Sequence, residues 1–173
     1  VPCTFDITPF IDFGEESILT VKVDSTERED IPPFGNVIDY LTFGGIYRDA
    51  FIYILEPTYI DNVFYRYEIE DDIVKMTPIV YITSDEEKNL NISLDLDDKS
   101  FEWNIDIEPG EKQKLELSPI EIEGLKLWDI DNPMLYDVVM TISCEDSVLD
   151  NYESKIGFRE IRAEVDGFYL NGR

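Results

Sequence analysis

The chain has no histidine. A Ser–His–Asp triad, a Cys–His pair and a His-ligated zinc are therefore excluded within it. Cysteine is almost absent too. Cys3 and Cys144 lie far apart in sequence, in what read as different units, and each is expected to be a lone buried thiol. Basic residues are scarce: 14 Lys and Arg stand against 39 Asp and Glu, a formal charge of −25. Phosphate is repelled by such a field, so no nucleic-acid partner is expected. An anionic membrane face is disfavoured for the same reason, and no run approaches the ~20 apolar residues of a membrane span. No signal peptide is read at Val1, which begins in mid-pattern. Helical periodicity is missing as well: no segment of about ten residues carries it convincingly.

What remains is material for β-structure. The 173 residues suit one ordinary domain or two small ones, and 43% are hydrophobic, with 10 Tyr and 10 Phe, so a core can form. Apolar and polar residues alternate in LNISLDL (Leu90–Leu96), FEWNIDI (Phe101–Ile107), VFYRYEI (Val63–Ile69) and KLEL (Lys114–Leu117). These read as half-buried strands. Denser runs read as interior strands: ILTVKV (Ile18–Val23), AFIYIL (Ala50–Leu55), IVYI (Ile79–Ile82) and VVMTISC (Val138–Cys144). Turn signals separate them, among them Pro32-Pro33-Phe34-Gly35-Asn36, Glu56-Pro57, Pro109-Gly110 and Asp131-Asn132-Pro133.

Proline cannot serve a central ladder, so the best single boundary lies at Glu56-Pro57. From Thr58 to Glu160 about seven strands are expected, enough for one immunoglobulin-like sandwich. Residues 1–56 hold about three, too few to close a sandwich. They read as part of a larger β domain, expected to self-associate or to exchange fast. The tail VDGFYLNGR (Val165–Arg173) reads as a hairpin cut off before its second strand. The fold class expected is all-β: an antiparallel immunoglobulin-like sandwich over 57–160, preceded over 1–56 by part of a jelly-roll domain and followed over 161–173 by a lead-in.

Four stretches then stand in order: TFDITPFIDFGEESILTVKVD from Thr4, FGGIYRDAFI from Phe43, LKLWDIDNPMLYDVVMTI from Leu125 and KIGFREIRAEVDGFYLNGR from Lys155. Together they resemble glycoside hydrolase family 2, of β-galactosidase type. The resemblance covers almost the whole chain. It implies a parent with a sugar-binding jelly roll, a sandwich and a catalytic TIM barrel in cis, cleaving terminal β-linked sugars with retention. The barrel's two glutamates would fall beyond Arg173, so no catalytic residue is expected here. Spacing alone nominates no acid–nucleophile pair among the acids present. β-Glucuronidase or β-mannosidase relatives share the architecture. A non-enzymatic immunoglobulin-like binding or adhesion module explains the β pattern equally well, though not GGIYRD.

The resemblance implies that Asp49 contacts the sugar and a monovalent cation in the parent, with sodium and magnesium as the parent's candidate ions and a β-galactoside-like saccharide as its ligand. A carboxylate accepts hydroxyl hydrogen bonds and is a hard oxygen ligand. Gly44 and Gly45 would let the backbone turn so that Asp49 projects. The bland alternative is an ion pair of Asp49 with Arg48. Arg48 and Arg159 read as structural, each tying a strand to a loop through a forked ion pair, Arg159 with Glu160 or a loop acid. Trp128, Pro133, Leu135 and Tyr136 read as core and corner residues, and Trp103 as core. The acidic clusters read as solvated turns, with weak calcium binding at Asp95, Asp97 and Asp98 as the alternative. The compartment expected is the cytoplasm, and a homo-oligomer is an expected partner state.

Overall fold

A computed structural model describes residues 4–24, 26, 28–30 and 44–173. Cys3, the Pro32–Asn36 turn and Phe43 lie outside the described residues. The chain divides into two units, Val1–Ile52 and Tyr53–Arg173.

In the first unit the only regular element among the described residues is a 3-10 turn, Thr8–Phe10, opened by Pro9. The Asp6 side chain accepts the Thr8 N–H at 2.9 Å just before it. No described residue of this unit is buried. Ile18 is 89% exposed, and Leu19, Val21 and Val23 are exposed beside it. The expected interior strands Ile18–Val23 and Ala50–Leu55 are not strands. Both runs have β-propensity, but among the described residues neither is part of a β-ladder. A ladder needs a partner before propensity counts.

The second unit is the expected sandwich. Eight strands form two four-stranded antiparallel sheets. One contains β1 (Tyr59–Glu70), β2 (Ile73–Ser84), β5 (Gly110–Glu116) and β6 (Ile120–Glu123). The other runs β4 (Lys99–Ile107), β3 (Lys88–Leu96), β7 (Tyr136–Cys144) and β8 (Ser147–Ile156). Within the first sheet, β5 and β6 share one edge of β2: β5 pairs with Ile79–Ser84 and β6 with Ile73–Met76. Pro78 sits at the change-over. It lacks an N–H, and its carbonyl takes the Leu117 N–H at 3.0 Å, so a proline is tolerated inside a central strand.

The alternation in the sequence becomes the core. Leu90, Ile92, Leu94 and Leu96 of β3 are all fully buried, and Val138, Met140 and Ile142 of β7 pack with them. From the other sheet come Val74, Met76, Val80 and Ile82. Full burial of each such side chain contributes about 1.5–3 kcal/mol. Trp103, with Phe101 and Ile105, is half-buried against this cluster rather than inside it. Its indole N–H donates to Ser118 Oγ at 2.8 Å, which explains why one edge of the ring stays outside. The free edge of β1 is capped where Asp150 accepts the Ile60 N–H at 2.8 Å.

The tail corrects one expectation. β9 (Ile161–Glu164) and β10 (Gly167–Leu170) pair with each other, Ile161 opposite Leu170 and Ala163 opposite Phe168. The FYL segment is thus the second strand of a hairpin, not its first. Ile161, Ala163, Phe168 and Leu170 share one face of it. Among the described residues no helix is long and apolar enough to cross a membrane.

Candidate functional site

In the first unit, Gly45 has φ +95°, a left-handed conformation that favours glycine, and nothing lies within 4 Å of where its Cβ would be. Gly44 precedes it in irregular, exposed backbone. The chain turns here and then carries Arg48 and Asp49, both exposed. The Arg48 guanidinium stands 5.8 Å from the Tyr47 ring centre, a cation–π contact. Among the described residues no ion pair joins Arg48 to Asp49 or to any other acid. Among the described residues the contact of the Arg48 guanidinium is thus with an aromatic ring, not the expected forked ion pair.

In the second unit, three stretches that are far apart in sequence meet. The Trp128 N–H donates to the Phe158 carbonyl at 2.7 Å. Asn171 links both to the tail: its Nδ2 donates to the Trp128 carbonyl at 3.0 Å, and its Oδ1 accepts the Glu160 N–H at 3.0 Å. Its own N–H donates to the Glu160 carbonyl at 2.9 Å. Arg173 donates to the Asp129 carboxylate at 2.6 Å. The LWDID, GFRE and LNGR motifs are therefore one spatial constellation.

Phe158 is the apolar centre beneath it. It is fully buried, with the Tyr67 ring edge-on at 5.0 Å and the Tyr136 ring at 6.1 Å. Both tyrosines turn their hydroxyls to backbone. Tyr136 Oη accepts the Lys126 N–H at 2.7 Å, and Tyr67 Oη accepts the Arg159 N–H at 3.1 Å. A Cβ on Gly157 would come within 3.0 Å of Trp128 Cδ1 and Leu135 Cδ2, so only glycine fits this crossing without a shift.

The expected corner residues divide. Tyr136 is buried as expected. Trp128 is half-buried, while Pro133 and Leu135 are exposed. The Asp129–Met134 turn explains this: Asp129 and Asn132 exchange backbone hydrogen bonds, which lifts the proline off the body. Arg159 also departs from expectation. It makes no ion pair among the described residues; its guanidinium lies 4.9 Å over the Trp128 ring, and Glu160 pairs with Arg162 at 3.4 Å instead. A planar cation on an indole needs no carboxylate partner.

Beside this stack opens a cleft of about 420 Å3, lined by Val63, Phe64, Tyr65, Tyr67, Trp128, Leu135, Ile156, Gly157 and Arg159. Its lining holds no carboxyl group. Glycoside cleavage needs two, so the cleft can hold apolar or aromatic groups but cannot supply acid and nucleophile. Burial raises the Tyr65 hydroxyl pKa. The Asp129 carboxyl is held below its ordinary value, first by the Asp131 N–H and then, after a smaller opposing desolvation, by Arg173.

No group of three acidic, histidine or cysteine side chains is placed to hold a metal among the described residues. At the turn carrying Asp97 and Asp98, Lys99 bonds Asp98 at 3.3 Å, which leaves no calcium cage of Asp95, Asp97 and Asp98. Cys144 is a free, half-buried thiol. Asn171, Asp129, Gly157 and Tyr67 were not singled out by sequence reasoning. Asn171-Gly172 was the available signal, since both residues have positive φ, +51° and +79°.

The chain as a whole is similar to known proteins. The β-galactosidase of Thermoanaerobacter pseudethanolicus is 35% identical over 99% of this chain and 24% of its own length. A β-glucuronidase of Formosa agariphila is 32% identical over 99% of this chain and 20% of its own length. The chain thus spans a fifth to a quarter of the length of these relatives. The solved β-glucuronidase of Bacteroides uniformis superposes with a TM-score of 0.78 over 98% of this chain and 22% of that one, at 24% identity. The pattern of Glycosyl hydrolases family 2 matches residues 58–159, which is β1 through the Trp128–Arg159 stack, and by that match the chain belongs to this family.

Proposed function

We propose that this chain is the non-catalytic β portion of a longer retaining glycoside hydrolase of β-galactosidase type. The observation that carries this reading is the match of the sandwich to a hydrolase family in a chain that spans only a fifth to a quarter of the length of its relatives. Catalysis then falls to another part of the longer protein, a barrel joined in cis. The sandwich serves as the rigid body that seats it. Asp49 serves the sugar: it accepts a hydroxyl hydrogen bond and offers one oxygen to a sodium ion. Since the described residues gather no metal cluster, any further ligands come from outside them. No residue here is assigned to magnesium.

The Formosa agariphila relative favours a second reading, a β-glucuronide substrate. Steady-state kinetics on chromogenic β-galactoside and β-glucuronide separates the two. The 173-residue chain should turn over neither above the buffer blank, and the longer protein should prefer the galactoside. In the longer protein Asp49→Asn removes hydrogen bonds to a charged acceptor, each worth about 1.5–3 kcal/mol. Catalytic efficiency should then fall about ten- to a hundredfold, together with the response to sodium. Turnover by the 173-residue chain, or unchanged kinetics and sodium response in Asp49→Asn, overturns the corresponding part of the proposal.

A further inference from the structure

The C-terminal hairpin has little to hold it in place. Among the described residues β9 and β10 pair only with each other. Ile161, Val165 and Phe168 are exposed, so the hairpin adds almost nothing to the core. A two-stranded hairpin alone is marginal in water. Among the described residues, the side-chain hydrogen bonds that tie it to the sandwich come from two residues at its end, Asn171 to Trp128 and Arg173 to Asp129. Asn171 donates to the Trp128 carbonyl, accepts the Glu160 N–H and donates its own N–H to the Glu160 carbonyl. Arg173 reaches Asp129. The Arg173 pair is exposed on the arginine side and is worth little in water. Asn171 is half-buried; its two bonds to Glu160 extend the β9–β10 register at the mouth of the hairpin, and its Nδ2 bond to the Trp128 carbonyl is the one that reaches the sandwich.

We propose that Asn171 is a latch. Closed, it fixes the direction of the hairpin, and of the apolar face shared by Ile161, Ala163, Phe168 and Leu170, against the sandwich. Open, it releases the hairpin while the sandwich stays folded. The reason is the separation of the two bonding systems. The sandwich is held by Phe158 and the inward rows of β2, β3 and β7, and the Asn171 hydrogen bonds go to Glu160 and the Trp128 carbonyl instead. The hairpin is held by polar contacts that break without exposing any of that core. Such a boundary between a strong and a weak set of contacts is where local opening separates from global unfolding. The proposal concerns this chain alone and stands whatever the longer protein hydrolyses.

Native-state amide exchange on the 173-residue chain tests it. In the unsubstituted protein, the amides of residues 160–170 should be slower than in a free peptide but faster than those of β3 and β7. Asn171→Gly keeps the positive φ and the backbone N–H while deleting both side-chain bonds. It should raise exchange about tenfold or more at Glu160 and through β9 and β10, since two hydrogen bonds that close the hairpin are lost. Exchange in β3 and β7, and the melting midpoint of the sandwich, should stay unchanged. Asn171→Gly leaving the hairpin at its original rate overturns the latch. So does acceleration spread evenly over β3 and β7, which would make the hairpin part of one cooperative unit. Unprotected hairpin amides in the unsubstituted protein overturn it as well.

Discussion

ILTVKV in the first unit and LNISLDL in the second make the sharpest comparison within this molecule. The first is the more apolar and the richer in β-branched residues. Yet Ile18 is 89% exposed, whereas Leu90, Ile92, Leu94 and Leu96 are at 0%. The second has Lys99–Ile105 on one side and Val138–Ser143 on the other, in register. The first has no described strand beside it. β-Propensity measures how well a side chain fits a pleated surface that already exists. Apolar density does not create the surface; partners do. The Bacteroides uniformis enzyme, similar in fold over almost the whole chain, has more than four times its length in which such partners can lie.

The largest expected effect tests that contrast directly. Phe158 is fully buried between Tyr67 and Tyr136. Phe158→Ala should cost about 3–5 kcal/mol, read as a lower denaturant midpoint at constant slope. Phe13, an equally large aromatic in the first unit, is 78% exposed. Phe13→Ala should stay within about 0.5 kcal/mol. Equal losses at the two sites would show that the first unit owns a core, and the contrast would fail.

Next in size is Trp128. A fully buried tryptophan would cost about 3–5 kcal/mol on truncation. Trp128 is only half-buried, so Trp128→Ala should cost about half of that range. Part of the loss belongs to the Arg159 stack at 4.9 Å. A double-mutant cycle with Arg159→Ala should return a coupling of about 0.5–1 kcal/mol. Zero coupling would reduce the stack to a contact without energy and return Arg159 to the role of an ion-pairing residue.

Much of the second unit was legible in the sequence because its signals are local. Strict alternation in β3 and β4 gave strands, faces and burial together. β2 was legible only from Ile79 onward, since Pro78 reads as a terminator. The structure keeps it because β5 gives way to β6 at that residue, which is a tertiary fact. β9 escaped for the opposite reason: IRAE is polar, short and exposed on a free hairpin, with no periodicity to read. The Phe158 centre was hidden because its two tyrosine partners lie far away in sequence. At Asp49, the flanking glycines announced a turn, but what the carboxylate meets depends on groups that spacing cannot supply.

The smallest expected effect separates local from long-range carboxylates. Asp6 and Asp24 in the first unit are held below the usual carboxylate range by Thr8 and Thr26, two residues on in each case. Such turns can form in an unfolded chain, so folded and unfolded values stay close and little stability is linked to them. Asp129 differs in part. Its largest cause, the Asp131 N–H, is equally local, but Arg173 adds a contact that only the folded tail provides. A depressed folded value contributes stability that is present above the unfolded pKa. That stability is lost as pH falls through the folded value, here below the ordinary 3.8. The protection of Arg173 and Leu170 amides, corrected for intrinsic exchange, should therefore decline below about pH 4 in the unsubstituted protein. Asp129→Asn should flatten that decline, and Asp6→Asn should leave it as it was. The arginine side of the pair is exposed, so salt should partly mimic Asp129→Asn at neutral pH. A decline that survives Asp129→Asn unchanged would assign the tail's acid sensitivity to the protein's general charge rather than to this pair.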